Sequence, residues 1–103
     1  MSILTVTKEN YESEVINSDK PVLLDLWAAW CGPCRMVSPA IEEIALEHTD
    51  IKVGKINVDE QPELAVSFGA TAIPTIVVMK NGKIAAQTVG AVPKSDILQL
   101  LGK

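Results

Sequence analysis

Cys31 and Cys34 are the only cysteines in the 103-residue sequence, and two residues separate them. Three chemistries use such a pair: a structural disulfide, half of a metal site, or reversible dithiol–disulfide exchange. As a staple the pair is poorly placed, because so small a loop gains about 2 kcal/mol of chain entropy, less than a bridge spanning the fold. As a metal site it is short of donors. Structural zinc takes four ligands, and Cys31, Cys34 and the single histidine, His48, supply three at most. His48 stands fourteen residues beyond Cys34 and reads as a solvated residue near a helix end. The bare spacing leaves redox exchange and a half-site completed by a second copy both open. What surrounds the pair must decide.

The surrounding pattern sets Cys31 at the junction of a strand and a helix. Val22-Leu23-Leu24-Asp25-Leu26-Trp27 is a nearly continuous apolar run, as expected of a strand buried on both faces. Ala28-Ala29-Trp30 forms a loop, and Cys31 opens the longest helix, over about 32–48, whose Val37, Ala40, Ile41, Ile44 and Ala45 make one core stripe. Pro39 falls inside that stripe and is expected to kink the helix, since it removes a backbone donor. A thiolate at such a junction meets unpaired N–H groups and the positive end of the helix dipole, so Cys31 is expected to be acidic and nucleophilic. Cys34 lies one turn on, on the same side. Helix neighbours at this spacing hold their Cβ atoms about 5–6 Å apart, against about 3.5–4.5 Å for a relaxed disulfide. A bridge can therefore form with modest adjustment and stay reducible.

Gly32 leaves Cys31 open to an approaching disulfide. Pro33 fixes the first turn, where its missing N–H leaves no donor unpaired. A metal half-site has no such needs, so the dipeptide favours exchange. Two of the four aromatic residues, Trp27 and Trp30, lie within four positions of Cys31. Trp27 fits either a core residue ending its strand or a wall of the site, whereas Trp30, at the loop tip, fits a cover for the nucleophile.

The remaining elements follow in order. Thr7 reads as the N-cap of a short helix with Tyr11, Val15 and Ile16 on one face, and Asp19-Lys20-Pro21 breaks the chain. Ile51–Val58 reads as a second buried strand, and Pro62 sits in the first turn of a short helix. After Ile73-Pro74 comes the strand Thr75–Met79, and Asn81-Gly82 turns it into an antiparallel return over Ile84–Val89. Pro93 starts a last helix with Ile97, Leu98, Leu100 and Leu101 facing inward. The order β-α-β-α-β-α-β-β-α predicts a single domain of α/β class, with a mixed sheet between helices.

Composition narrows the classes of function. Nine Lys and Arg against 13 Asp and Glu give a formal charge of −4, which argues against a nucleic-acid backbone partner. No apolar run approaches the roughly 18 residues of a membrane span. The opening Met1-Ser2-Ile3-Leu4-Thr5 lacks the charged and apolar regions of an export signal, so a soluble, cytoplasmic location is the expectation.

Trp30-Cys31-Gly32-Pro33-Cys34 resembles the active-site signature of the thioredoxin family. Asp25-Leu26-Trp27-Ala28, Lys55-Ile56-Asn57-Val58-Asp59, Ile73-Pro74-Thr75, Asn81-Gly82 and Val89-Gly90-Ala91 are similar to further landmarks of that family, in order along essentially the whole chain. Leu26 and Met79 stand where the family often has core aromatics, Thr71-Ala72 departs before Ile73, and the last helix is slightly short. The resemblance implies a thioredoxin fold: a central mixed five-stranded sheet flanked by four helices. It implies a protein-disulfide reductase and electron carrier that works on disulfide-containing proteins, is recharged by a thioredoxin reductase, is monomeric and needs no bound cofactor beyond the Cys31–Cys34 pair. A metal-binding or scaffolding module is the rival reading.

On that resemblance Cys31 is the attacking nucleophile, and Cys34, expected to be the more buried, resolves the mixed disulfide. Asp25, the only charge in its apolar strand, is the candidate proton acceptor, and desolvation is expected to raise its pKa. Its plainer reading is a carboxylate emerging at a strand end. Lys55 in the neighbouring strand is its candidate partner cation, or simply a strand lysine reaching solvent. Ile73 and Pro74 resemble the family's cis-proline loop, which implies that Ile73 offers backbone hydrogen bonds to an extended substrate. Trp30, Gly32, Pro33, Gly90 and Ala91 would complete an apolar docking surface, although Gly90 also fits a plain turn.

Overall fold

A computed structural model describes residues 3–103. Met1 and Ser2, the first two residues of the stretch read for an export signal, lie outside the described residues. Strands β1 (Ile3–Thr5), β2 (Val22–Trp27), β3 (Lys52–Asn57), β4 (Thr75–Lys80) and β5 (Lys83–Val89) form one sheet in the order β1-β3-β2-β4-β5. A π-helical turn (Glu12–Ile16) and helices α1 (Gly32–Glu47), α2 (Pro62–Ser67) and α3 (Lys94–Leu100) connect and cover it. The strand pairs β1–β3 and β2–β3 are parallel, whereas β2–β4 and β4–β5 are antiparallel. This is the mixed five-stranded sheet with flanking helices that the sequence predicts. Among the described residues no helix is long and apolar enough to cross a membrane.

Burial on both faces explains the apolar runs. Alternate residues of a strand point to opposite sides. Val22, Leu24 and Leu26 of β2 pack with Val77 and Met79 of β4, Val15 and Phe68 on one face. Leu23 packs with Ile76 and Val78 of β4, Val37, Ile41 and Ile44 of α1, and Ile97 of α3 on the other. Each fully buried Leu, Ile or Val contributes roughly 1.5–3 kcal/mol. The same alternation decides where the charges go. Asp25 shares the face of Leu23, and Lys55 shares that of Val53, so both lie on the side covered by α1, directly opposite each other in the β2–β3 register.

Two glycines are dictated by geometry. A Cβ on Gly54 would stand 2.7 Å from Val6 Cγ2 and 3.2 Å from Leu24 Cδ2, so its smallness makes room on β3 for the Val6 and Leu24 side chains. Asn81 and Gly82 take φ of 54° and 77°, as a tight two-residue hairpin requires, with Lys80 and Lys83 paired across it.

One local expectation is corrected. Thr7 caps no helix: its N–H donates to Asn10 Oδ1 (2.8 Å), the Asn10 side-chain amide donates to Thr5 O (2.9 Å), and helical structure starts only after this turn. Asn10 offers the backbone a competing partner, which delays the helix. Ile97 of α3 and Leu101 at its C-cap are buried, and Leu98 and Leu100 pack against the same core part-buried, so all four face inward as expected. Pro39 lies inside α1, which runs as helix from Gly32 to Glu47.

Candidate active site

The sheet ends the chain run of β2 at Trp27, and the loop through Ala28, Ala29 and Trp30 delivers Cys31 to the N-cap of α1. Cys31 has extended backbone (φ −93°, ψ 109°), and its Sγ accepts the backbone N–H of Cys34 at 3.2 Å. Pro33 occupies the first turn. Cys31 and Cys34 are joined as a disulfide, with their Cα atoms 5.3 Å apart. When the bridge opens, the sulfur at the N-cap keeps the N–H and the helix dipole that favour its thiolate.

Burial does not separate the two cysteines. Each is 4 % exposed, so the expectation that Cys34 is the more buried is corrected. What separates them is the cavity each faces. Cys31 lines an open cleft of about 500 Å³ with Trp30, Gly32, Pro33, Val58 and the segment Ala70–Ile73, and among the described residues no charged side chain contributes to its walls. Cys34 lines a second cavity of about 380 Å³, with Asp25, Ser38, Glu42 and Lys55 among its walls. Gly32 and Pro33 are exposed beside the first cavity, and the space where a Gly32 side chain would project is empty out to 4 Å. Trp27 turns out to serve both roles open to it: it packs on Ala28, Cys31 and Cys34 and lines the second cavity.

The substrate-side residues meet around the cleft. Trp30 is 69 % exposed, and its indole Nε1–H donates to Asp59 Oδ2 at 2.9 Å. The Ile73–Pro74 peptide is cis, and Cys31 Sγ lies 3.8 Å from Ile73 O. Gly90 is next to this loop, its N–H donating to Pro74 O at 2.8 Å, and Gly90 adopts φ 103°. Ala91 follows on the surface.

Asp25 is 1 % exposed, the one charged side chain buried among the described residues, and neither carboxyl oxygen has a hydrogen-bond partner in the protein. Desolvation pushes its pKa up from 3.8 to about 6, and the Lys55 charge offsets only part of that. The reading of a carboxylate emerging at a strand end is therefore set aside. Lys55 is not in contact with it: among the described residues no Asp25–Lys55 ion pair forms within 4.0 Å, and the ammonium donates to Ser38 Oγ at 2.8 Å. Lys55 is the cation that acts on Asp25, and it does so across the cavity rather than through a contact.

Sequence reasoning missed Ser38, Glu42, Arg35 and Asp59 as parts of the site. Ser38 stands four positions after Cys34, on the same face of α1, and that spacing was the available signal. Arg35 lines the second cavity and donates from Nη2 to Ala29 O at 2.8 Å, which ties the loop before Cys31 to the helix. His48 ends α1, about 21 Å of helix away from Cys34, so one chain cannot gather Cys31, Cys34 and His48 on one ion.

A strand-delivered, N-capping cysteine bridged to the next turn, on a mixed sheet beside a buried acid, defines a dithiol–disulfide oxidoreductase. Comparison agrees. The Thioredoxin family profile matches residues 2–103. A thioredoxin of Pyropia yezoensis is 49% identical over all of this chain and 97% of its own length. Thioredoxin 1 of a Nostoc species is 48% identical over 95% of this chain and 92% of its own, and a thioredoxin of Haemophilus influenzae is 41% identical over 98% and 95%. The chain belongs to the thioredoxin family, and protein-disulfide reduction through the Cys31–Cys34 pair is its activity.

Proposed function

We propose that the chain is a general reductant of protein disulfides, with the labour divided between the two faces of its cysteine pair. The observation that carries this reading is the placement of Cys31 at the α1 N-cap, opening on an uncharged cleft, while Cys34 opens on the cavity of Asp25. In the first step the Cys31 thiolate attacks one sulfur of a target disulfide. A Cys31–target bond forms, the target S–S bond breaks, and its second sulfur leaves with the electron pair and takes a proton. In the second step Cys34 gives its proton to the Asp25 carboxylate and attacks Cys31 Sγ. The Cys31–Cys34 bond forms, the Cys31–target bond breaks, and the target sulfur leaves with the electron pair and takes a proton from solvent, so the target is released as a dithiol, reduced by two electrons.

A pKa raised to about 6 makes Asp25 a stronger base than a surface carboxylate while leaving it ionised near neutral pH. The Ile73–Pro74 loop, with Gly90 and Ala91 beside it, is suited to hold an extended target strand by the backbone of Ile73, since Pro74 O is already taken by the Gly90 N–H. Pro33 keeps the dithiol in one geometry through both steps.

Two electrons must then be returned to Cys31–Cys34, and a thioredoxin reductase is the partner that fits this cycle. The pair itself carries the electrons, so no bound cofactor enters the scheme. A reductant role suits a compartment whose own poise keeps the dithiol reduced, which favours the cytoplasm. The chain is read as a monomer.

Trapping tests the division of labour. Cys34→Ser should accumulate mixed disulfides on Cys31 when offered oxidised protein targets, and Cys31→Ser should accumulate almost none, as read by nonreducing electrophoresis and mass spectrometry. Equal trapping by both variants would overturn the assignment.

A further inference from the structure

The second cavity holds a polar chain that the exchange steps do not use. Ser38 Oγ accepts from Lys55 Nζ at 2.8 Å and donates to Glu42 Oε2 at 3.4 Å. Its one proton is committed to Glu42 on the next turn of α1, so only lone pairs face the ammonium. Lys55 arises from the residue directly opposite Asp25 in the β2–β3 pairing, on the same face of the sheet. Nothing in the register keeps the ammonium from the carboxyl. What holds it elsewhere is a hydroxyl seventeen positions away in sequence.

We propose that Ser38 is a positioning residue of the exchange reaction: its hydroxyl tethers the Lys55 ammonium to α1 and thereby leaves the Asp25 carboxyl free of a direct ion pair. This deepens the proposed function and rests on its use of Asp25 as proton acceptor. The physical stake is large. Asp25 has no hydrogen-bond partner among the described residues, so an ammonium in contact would be its strongest stabiliser. A contacting cation holds a carboxylate ionised and makes it a poor base, whereas desolvation keeps it a good one. The charged and titratable groups around this cavity are Cys34, Arg35 and Glu42 from α1 and Lys55 from β3. Arg35 is occupied by Ala29 O, and from β4 the residue opposite Asp25 is the apolar Ile76. Of the two cations that line this cavity, Lys55 is thus the one held by a side chain, and Ser38 is the group that decides where it rests.

The test is a double-mutant cycle read by NMR titration of the Asp25 carboxyl carbon in the oxidised protein. Ser38→Ala should lower the midpoint by about one pH unit as Lys55 falls onto the carboxyl. Ser38→Thr, which keeps a hydroxyl, should titrate like the parent. Lys55→Gln should raise the midpoint, and adding Ser38→Ala to it should change nothing further. An unmoved or raised midpoint in Ser38→Ala overturns the proposal, as does an equal shift with and without Lys55. A merely structural serine would not give a shift that depends on Lys55. The rate of mixed-disulfide resolution, followed against pH in the same variants, separates the two readings. A moved titration beside an unmoved rate profile counts against Asp25 as the acceptor, whereas an unmoved titration counts against Ser38 whatever the rate does.

Discussion

The cysteine pair is a wall between two unlike cavities. On the Cys31 side the lining is Trp30, Gly32, Pro33, Val58 and Ala70–Ile73, with no ionisable group besides the thiol. On the Cys34 side Asp25, Arg35, Glu42 and Lys55 crowd a smaller space. Both cysteines are equally enclosed, so exposure cannot explain why one would meet the substrate and the other a base. Chemistry of the surroundings can. An uncharged cleft accepts a protein segment without stripping water from fixed charges, while the opposite cavity moves protons without admitting a macromolecule.

The contrast makes Asp25 the most consequential group on the proton side, and stability should show it first. Its pKa is raised from 3.8 to about 6, so between those values the folded protein binds more protons than the unfolded chain. Stability from this group is therefore highest below pH 3.8 and declines as pH rises through about 6, a loss on the order of 3 kcal/mol. Asp25→Asn has no such slope. In urea unfolding of the oxidised protein, the variant's stability relative to the parent should rise by about 3 kcal/mol from pH 3.5 to pH 8. A difference independent of pH would mean that the carboxyl is not desolvated, and the two cavities would lose their sharpest distinction.

Kinetics should place the same substitution on one side of the wall only. Asp25→Asn is expected to slow resolution of the mixed disulfide about 100-fold at pH 7, the lower end of what a positioned base contributes. Formation of the mixed disulfide, which takes place in the uncharged cleft, should change less than threefold on the order-of-magnitude scale of surface electrostatics. Stopped-flow tryptophan fluorescence with a disulfide substrate resolves the two phases. Equal slowing of both phases would break the separation of the cavities.

Much of this arrangement was legible in the residues, because it rests on local rules. The apolar run ending at Trp27, the Gly32-Pro33 dipeptide and the helical stripe after Cys34 fix the strand–N-cap–helix junction. Strand alternation carries Asp25 and Lys55 to the α1 side, since Leu23 and Val53 must face the core there. What the residues could not show is the outcome of competition. Lys55 can reach Asp25 or Ser38, and the choice depends on how α1 sits over the sheet, a tertiary quantity. Thr7 reads as the start of the first helical turn, and the Asn10 side chain, bonded to Thr5 and Thr7, overrides it. The cis state of Ile73–Pro74 is likewise set by the fold rather than by the dipeptide.

The smallest effect tests the cleft side, and it turns on Asp59. Trp30 is the largest exposed aromatic beside Cys31, yet its ring is held by one hydrogen bond from the indole to Asp59 Oδ2. A long exposed ring that is fixed in place loses less freedom when a target docks on it than a free one does. Asp59→Ala removes the acceptor and leaves the ring, the thiols and the second cavity intact. One hydrogen bond to a carboxylate contributes about 1.5 kcal/mol or less at an exposed site, so the KM for a protein disulfide should rise about threefold to tenfold. The rate of resolution and its pH profile should stay those of the parent, because Asp59 is not in the cavity of Asp25. A small disulfide reagent, which has no surface to lay against Trp30, should be reduced at the parental rate. If Asp59→Ala changed resolution as much as KM, the indole would be acting on the proton side as well, and the wall between the two cavities would be the wrong description of this site.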